Sequence, residues 1–151
     1  MKLRNSMKAI IIRHGNVLLQ KNEDELGLFY LLPGGGMNAG ETLHEALQRE
    51  CLEEIGTEVI IGELRYIRDY IGSHHEFAES DGDVHQIEFM FECSLPDGYE
   101  PQFGHIPDDH QIAVEWIPLN KLNDIPLYPA VLKSLLPDIR ANSPVYLGDV
   151  N

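Results

Sequence analysis

Gly35-Gly36-Met37-Asn38-Ala39-Gly40-Glu41-Thr42-Leu43-His44-Glu45-Ala46-Leu47-Gln48-Arg49-Glu50-Cys51-Leu52-Glu53-Glu54-Ile55-Gly56-Thr57 is the stretch on which the reading of this chain turns. A helix fits 43–55. Thr42 followed three residues later by Glu45 is a capping box, in which each residue satisfies a backbone N–H of the first turn. Gly56 suits the left-handed position just past a helix end. At about 100° per residue, Leu43, Ala46, Leu47, Cys51 and Ile55 form one broad apolar stripe. Glu50, Glu53 and Glu54 span an arc of roughly 100° beside it, with Glu50 almost under Leu43. Like charges at i+3 and i+4 repel, and negative charge opposes the dipole at a helix C-terminus. Each costs a few tenths to about 1 kcal/mol. A divalent cation reverses the sign of both penalties, and carboxylate oxygens are hard ligands suited to Mg²⁺ or Mn²⁺. Such a helix in isolation reads more readily as a solvated acidic face, with Arg49 bridging to Glu45 or Glu53. The glycine-rich turn in front of it shifts that balance.

Working outward, Ala9–Arg13 and Val17–Lys21 read as two short strands around the turn-prone Gly15-Asn16. An acidic loop, Glu23-Asp24-Glu25, leads to the apolar run Leu28–Leu32, which Pro33-Gly34-Gly35-Gly36 ends. Beyond the helix, Thr57–Tyr70 is rich in β-branched and aromatic residues and reads as strand. Gly72–Asp83 reads as loop. Ile87, Phe89, Phe91, Cys93 and Leu95 alternate with more polar neighbours at a strand's period of two. Ala113–Ile117 is a last strand closed by Pro118. A second helix is expected over Tyr128–Leu136, with Pro129 in its first turn. Asp138–Asn151 is expected to be extended or mobile. The sum is an α+β layered fold, one domain over 1–140 and a tail over 141–151.

The length of 151 residues suits one domain with a sizeable core. An apolar share of 43% is that of a globular chain. No apolar run approaches the ~20 residues of a membrane helix, and the opening segment is too short and too soon charged for a signal peptide. Cys51 and Cys93 read as reduced thiols of a cytoplasmic protein. Eleven basic and 25 acidic residues leave a net charge of −14, which disfavours duplex nucleic acid as a partner. An anionic substrate would need a metal to neutralise it.

Gly35, Glu41, Arg49, Glu50, Cys51, Glu53, Glu54 and Gly56 stand at the offsets of the Nudix box. Tyr30-Leu31-Leu32-Pro33-Gly34 is similar to the lead-in that precedes it. On these residues the chain resembles the Nudix hydrolases. It departs at Thr57, where the family has an apolar residue, and at Asn38, where an acidic one is common. The resemblance implies a Nudix fold, mixed β-sheet layers sandwiched between helices. It also implies a metal-dependent pyrophosphohydrolase with Mg²⁺, or Mn²⁺, held by Glu50, Glu53, Glu54 and the Gly35 carbonyl. Arg49 would orient these carboxylates and Glu41 would support the helix start. The general base would be Glu50 or Glu53, with Asp108 and Asp109 of a later loop as alternatives. Homodimers are common in such a family.

The resemblance leaves the substrate open. ADP-ribose or another nucleoside diphosphate sugar, a nucleoside triphosphate, and an RNA end all carry the required bond, the last least in keeping with the acidic surface. The proline and tyrosine that mark ADP-ribose and dinucleoside polyphosphate enzymes are absent where expected. Tyr70, Phe77 and Phe103 offer rings for a base, although each reads more simply as packing, and Trp116 reads as core. His74-His75-Glu76 reads as a polar surface loop. Two other functions compete: a nucleotide-sensing module of the same fold without catalysis, and a carboxylate-rich metal-binding protein.

Overall fold

The computed structural model describes the whole chain except Phe103, His105 and Asp108. In chain order the elements are β1 (Lys2–Arg13), β2 (Asn16–Asp24), β3 (Gly27–Leu31), β4 (Gly34–Gly36), α1 (Leu43–Ile55), β5 (Ile60–Ile71), α2 (Ala78–Asp81), β6 (Val84–Ser94), β7 (Gln111–Pro118), α3 (Leu132–Leu135) and β8 (Tyr146–Asp149). β1 is the hub. It runs parallel to β6 from Lys2 to Ile11 and antiparallel to β4 at Ser6–Lys8, and its far end meets β2. Outside β6 lie β5 and then β8, while β2 is flanked by β3 and β7.

Side-chain alternation along β1 divides the interior into two cores. Met7, Ala9 and Ile11 face one way and pack with Ala46, Leu47, Cys51 and Ile55 of α1. Ile10 faces the other way and packs with Val17, Leu19, Met90, Leu122, Leu132 and Leu136. The sheet is therefore layered between α1 and the short helical segments that follow β7. This is the α+β arrangement the sequence implies.

α1 has the bounds read from the sequence, with both hydrogen bonds of the capping box and Gly56 at φ 77°. The helix expected over Tyr128–Leu136 is much shorter: α3 is a single turn, extended by a 3₁₀ turn at Leu136–Asp138. The backbone ahead of it is already engaged, because Tyr30 donates to Pro126 and accepts from Tyr128. Gly72–Asp83 contains a 3₁₀ turn and α2. Of the expected tail, Tyr146–Asp149 is extended and joins the sheet as β8. Cys51 and Cys93 are buried free thiols, and burial pushes the Cys93 pKa up to about 12. Among the described residues no helix is long and apolar enough to cross a membrane.

Candidate active site

The site begins where β4 passes α1. β4 consists of three glycines, and two of them are required by contact. Gly34 has φ 135°, and a Cβ there would lie 2.0 Å from the Met7 carbonyl oxygen. A Cβ on Gly35 would lie 2.6 Å from Oε2 of Glu50. The bare backbone thus lets the Glu50 carboxylate rest directly against the strand.

Arg49 organises this end of α1. Its Nε and Nη2 donate to Glu41 at 2.7 and 2.9 Å, a two-bonded fork, and Nη2 also donates to the Gly36 carbonyl at 2.9 Å. Nη1 reaches Glu50 at 3.0 Å and Glu53 at 3.5 Å. Glu41 in turn accepts from the Asn38 N–H at 2.7 Å. The hydrogen bonds from Arg49, followed by that from Asn38, hold the Glu41 carboxyl at about 2. Charge-assisted, two-bonded pairs of this kind fix orientation as well as charge.

Glu50 and Glu53 therefore converge on one point, which Nη1 of Arg49 takes. Glu54 is directed elsewhere: it is fully buried, accepts from the Gly34 N–H at 2.9 Å and is hydrogen-bonded to the Gln20 amide. Among the described residues no three His, Cys, Asp or Glu side chains stand together as a ready metal cage. The donor set still fits a hard divalent ion. It offers two carboxylates aimed at one cationic group and the bare backbone of Gly35 packed against the first of them. The end of α1 is closed by the segment before β7. Backbone N–H groups of Gln102, Gly104 and Ile106 donate to the carbonyls of Ile55, Glu54 and Glu53, and Gln111 adds a side-chain bond to Glu54.

Beside Glu50 opens a cavity of about 620 Å³. Its near wall is Gly34, Gly35, Gly36 and Glu50, and its floor carries Arg4, Ser6 and Lys8 of β1 with Arg68, Gln86 and Glu88. Register explains the floor. Arg4 pairs with Gln86, Ser6 with Glu88, and Glu88 with Arg68, so alternate residues of three strands face one side. Arg68 Nε donates to Glu88 at 2.7 Å, with both side chains about 5% exposed. Burial pushes the Glu88 pKa up. The charges of Arg68 and Lys8, with hydrogen bonds from Arg68 and Gln86, outweigh it and hold the carboxyl below its ordinary range. Phe29, Tyr70, Phe77 and Tyr128 supply aromatic surface, and Phe77 meets Tyr128 edge-on at 5.3 Å.

Of the residues singled out in the sequence, Glu41, Arg49, Glu50 and Glu53 form one cluster with Gly35, and Glu54 lies behind it. Tyr70 and Phe77 line the cavity, whereas Trp116 packs on the core beneath Arg13. Asp109 is exposed in the turn before β7. Phe103 and Asp108 lie outside the described residues. Sequence reasoning missed the cavity floor. It also missed Gln20, although a glutamine ending the apolar run Val17-Leu18-Leu19 is a readable signal of a buried polar contact.

Residues 2–139 match the NUDIX domain model. The chain belongs to the Nudix family, and it is a Nudix-type pyrophosphohydrolase. Its similarity to the nucleoside triphosphatase NudI of Enterobacter sp. is 30% identity over 135 residues, 86% of this chain and 92% of that one. A MutT Nudix hydrolase structure from Burkholderia pseudomallei is 25% identical with a TM-score of 0.63, covering 80% of this chain and 86% of that one. A Nudix hydrolase structure from Nitrosomonas europaea has a TM-score of 0.75 at 19% identity, covering 97% and 94%, and speaks for the fold alone.

Proposed function

We propose that this chain hydrolyses the pyrophosphate bond of a nucleoside diphosphate derivative in the cavity beside Glu50, with a nucleoside triphosphate as the first choice. The observation that carries this reading is a single cavity joining the Glu50–Gly35 wall, the cations Arg4 and Lys8, and four aromatic rings. Its volume lies within the ~300–1,000 Å³ typical of small-ligand sites. A phosphate chain needs cations and a nucleobase needs flat apolar surface, and both are present in a chain of net charge −14. The similarity to NudI, a nucleoside triphosphatase, favours the triphosphate over ADP-ribose or a nucleotide sugar.

Gly35, Glu50 and Glu53 are the residues that would hold Mg²⁺, or Mn²⁺, and Glu54, turned toward Gly34 and Gln20 in this structure, would join them only by giving up those partners. When bound, the ion supplies charge neutralisation and a more acidic attacking water. The chain's own residues do the rest. Arg49, clamped by Glu41, holds Glu50 and Glu53 in place, and either of these carboxylates is positioned to accept the proton of the water. Lys8 and Arg4 bind phosphate oxygens, and the aromatic wall holds the base.

The test is a Mg²⁺-dependent turnover panel of the four deoxynucleoside triphosphates, ADP-ribose and a nucleotide sugar, repeated with Glu53→Gln. Turnover of at least one compound is expected, with a loss of about 10²–10⁴-fold in the variant, the range for a displaced catalytic carboxylate. Tight binding without turnover by the wild type would instead support a nucleotide-sensing module. Unchanged turnover in Glu53→Gln would remove α1 from the chemistry.

A further inference from the structure

β8 lies beyond the end of the matched domain, yet it is tied to the cavity by charged contacts. Asp149 closes on the segment that follows β5. Its Oδ1 accepts from the Ile71 N–H at 3.0 Å and meets His75 Nε2 at 2.6 Å, while Oδ2 meets His74 Nδ1 at 2.8 Å. Burial pushes the Asp149 pKa up. The hydrogen bonds from His75, Ile71 and His74 outweigh it and hold the carboxyl at about 2. Asp69 binds β8 from the sheet side, accepting from the Tyr146 hydroxyl and, through its carbonyl, from the Val150 N–H at 3.2 Å.

Two routes lead from this clasp to the cavity. In the first, the His75 ring stacks on Tyr70 at 5.5 Å, and the Tyr70 hydroxyl donates to Asp81 at 2.7 Å. Tyr70, Phe77 and Asp81 are all cavity wall. In the second, Arg68 Nη1 donates to the Val150 carbonyl at 2.6 Å and to Asn151 at 3.2 Å, while its Nε holds Glu88 in the floor. β8 and the two residues after it, which line no part of the cavity, are thus linked both to the aromatic wall and to the buried Arg68–Glu88 pair.

We propose that Asp149 is a positioning residue for substrate binding: through His74 and His75 it straps β8 over the end of β5 and sets the Tyr70–Phe77–Asp81 wall. The inference rests on the cavity being the substrate site. A wall that is less well placed weakens binding and leaves the Glu50–Glu53 end intact, so KM and kcat respond differently.

The experiment measures kcat, KM and Tm with Mg²⁺ on the triphosphates and ADP-ribose for wild type, Asp149→Asn, the pair His74→Gln/His75→Gln, the triple variant and Phe77→Ala. Asp149→Asn is expected to raise KM about 10-fold, the equivalent of one charge-assisted hydrogen bond, with kcat changed less than about 2-fold. The histidine pair should show the same rise, and the triple variant should add nothing to it, since coupled groups are not additive. An unchanged KM in Asp149→Asn while Phe77→Ala raises it would overturn the strap and leave the cavity standing. If Asp149→Asn does not fold, the histidine pair decides by the same criterion. Equal loss of kcat and gain of KM, with a collapsed Tm, would reduce Asp149 to a structural residue. No effect of Phe77→Ala, or no turnover by the wild type, would remove the cavity and the strap together.

Discussion

The two walls of the cavity are built in opposite ways. The Glu50 wall comes from one contiguous stretch, in which 22 residues from Gly35 to Gly56 supply the turn, the cap, the clamp and the carboxylates. The opposite wall and floor draw on β1, β3, β5, β6 and α2, distant in sequence and brought together by strand pairing and the connections between strands. The end proposed for the chemistry is thus encoded locally. The end assigned to binding is encoded in pairing, where a one-residue slip would turn Arg4, Ser6 and Lys8 to the other face. Such an arrangement lets the binding wall vary while the carboxylates stay fixed.

The largest effect that would break the comparison is a loss of the floor's ion pair. Arg68→Met leaves Glu88 buried without its guanidinium, and truncating one partner of such a pair costs about 3–5 kcal/mol. A fall in Tm on the order of 10 °C is expected for a chain of this size. Arg68→Met/Glu88→Leu, which removes both charges, should recover most of it. A single variant as stable as wild type would mean that the pair is solvated rather than buried.

The same contrast explains what the sequence discloses. The helix, its two caps and the three glutamates were legible because each signal lies within a few residues of the next. The two-core alternation of β1 was only half visible. Ala9–Arg13 reads as strand, whereas Arg4, Ser6 and Lys8 break the apolar pattern ahead of it. Their meaning comes from Gln86 and Glu88, some 80 residues away. Residues 128–131 carry a helical pattern yet precede the helix, because the claim of Tyr30 on the neighbouring backbone is a tertiary fact. His74-His75-Glu76 looked like a surface loop, and Asp149 like part of a tail. Neither half of that clasp has a local signal, since the partners are 74 and 75 positions apart.

A smaller change sharpens the comparison from the box side. In Gly35→Ala the new Cβ would lie 2.6 Å from Oε2 of Glu50. The carboxylate is the free end of a flexible side chain, so it swings away at little cost to folding. Displacing a catalytic group by about 1 Å can cost as much as 10²-fold in rate, and a fall of about 10-fold in kcat is expected with Tm nearly unchanged. Arg68→Met should do the reverse, lowering Tm more than the kcat of the folded enzyme. If Gly35→Ala kept full activity, the close approach of β4 to Glu50 would have no catalytic meaning.

The smallest effect places one reporter on each side. Glu41, beside Arg49, is held at about 2 against an ordinary 4.5, and Asp149, beside the two histidines, at about 2 against 3.8. A carboxyl whose pKa falls on folding binds its proton more readily in the unfolded chain. Its contribution to stability is therefore complete above the unfolded pKa and is lost as pH falls through the folded one. The Glu41 contribution should fade between about pH 4.5 and pH 2, and the Asp149 contribution between about pH 3.8 and pH 2. Both side chains keep some contact with solvent, 19% and 26% exposed, so added salt should shrink these contributions in part. Site-resolved NMR titration of the two carboxyls reads the regions separately. Glu41 titrating near 4.5 would show that the Arg49 fork is open in solution, whatever the fate of the other wall. Asp149 titrating near 3.8 would open the histidine clasp while leaving the box intact. A shift of either carboxyl in the variant of the other would break the separation between the two walls.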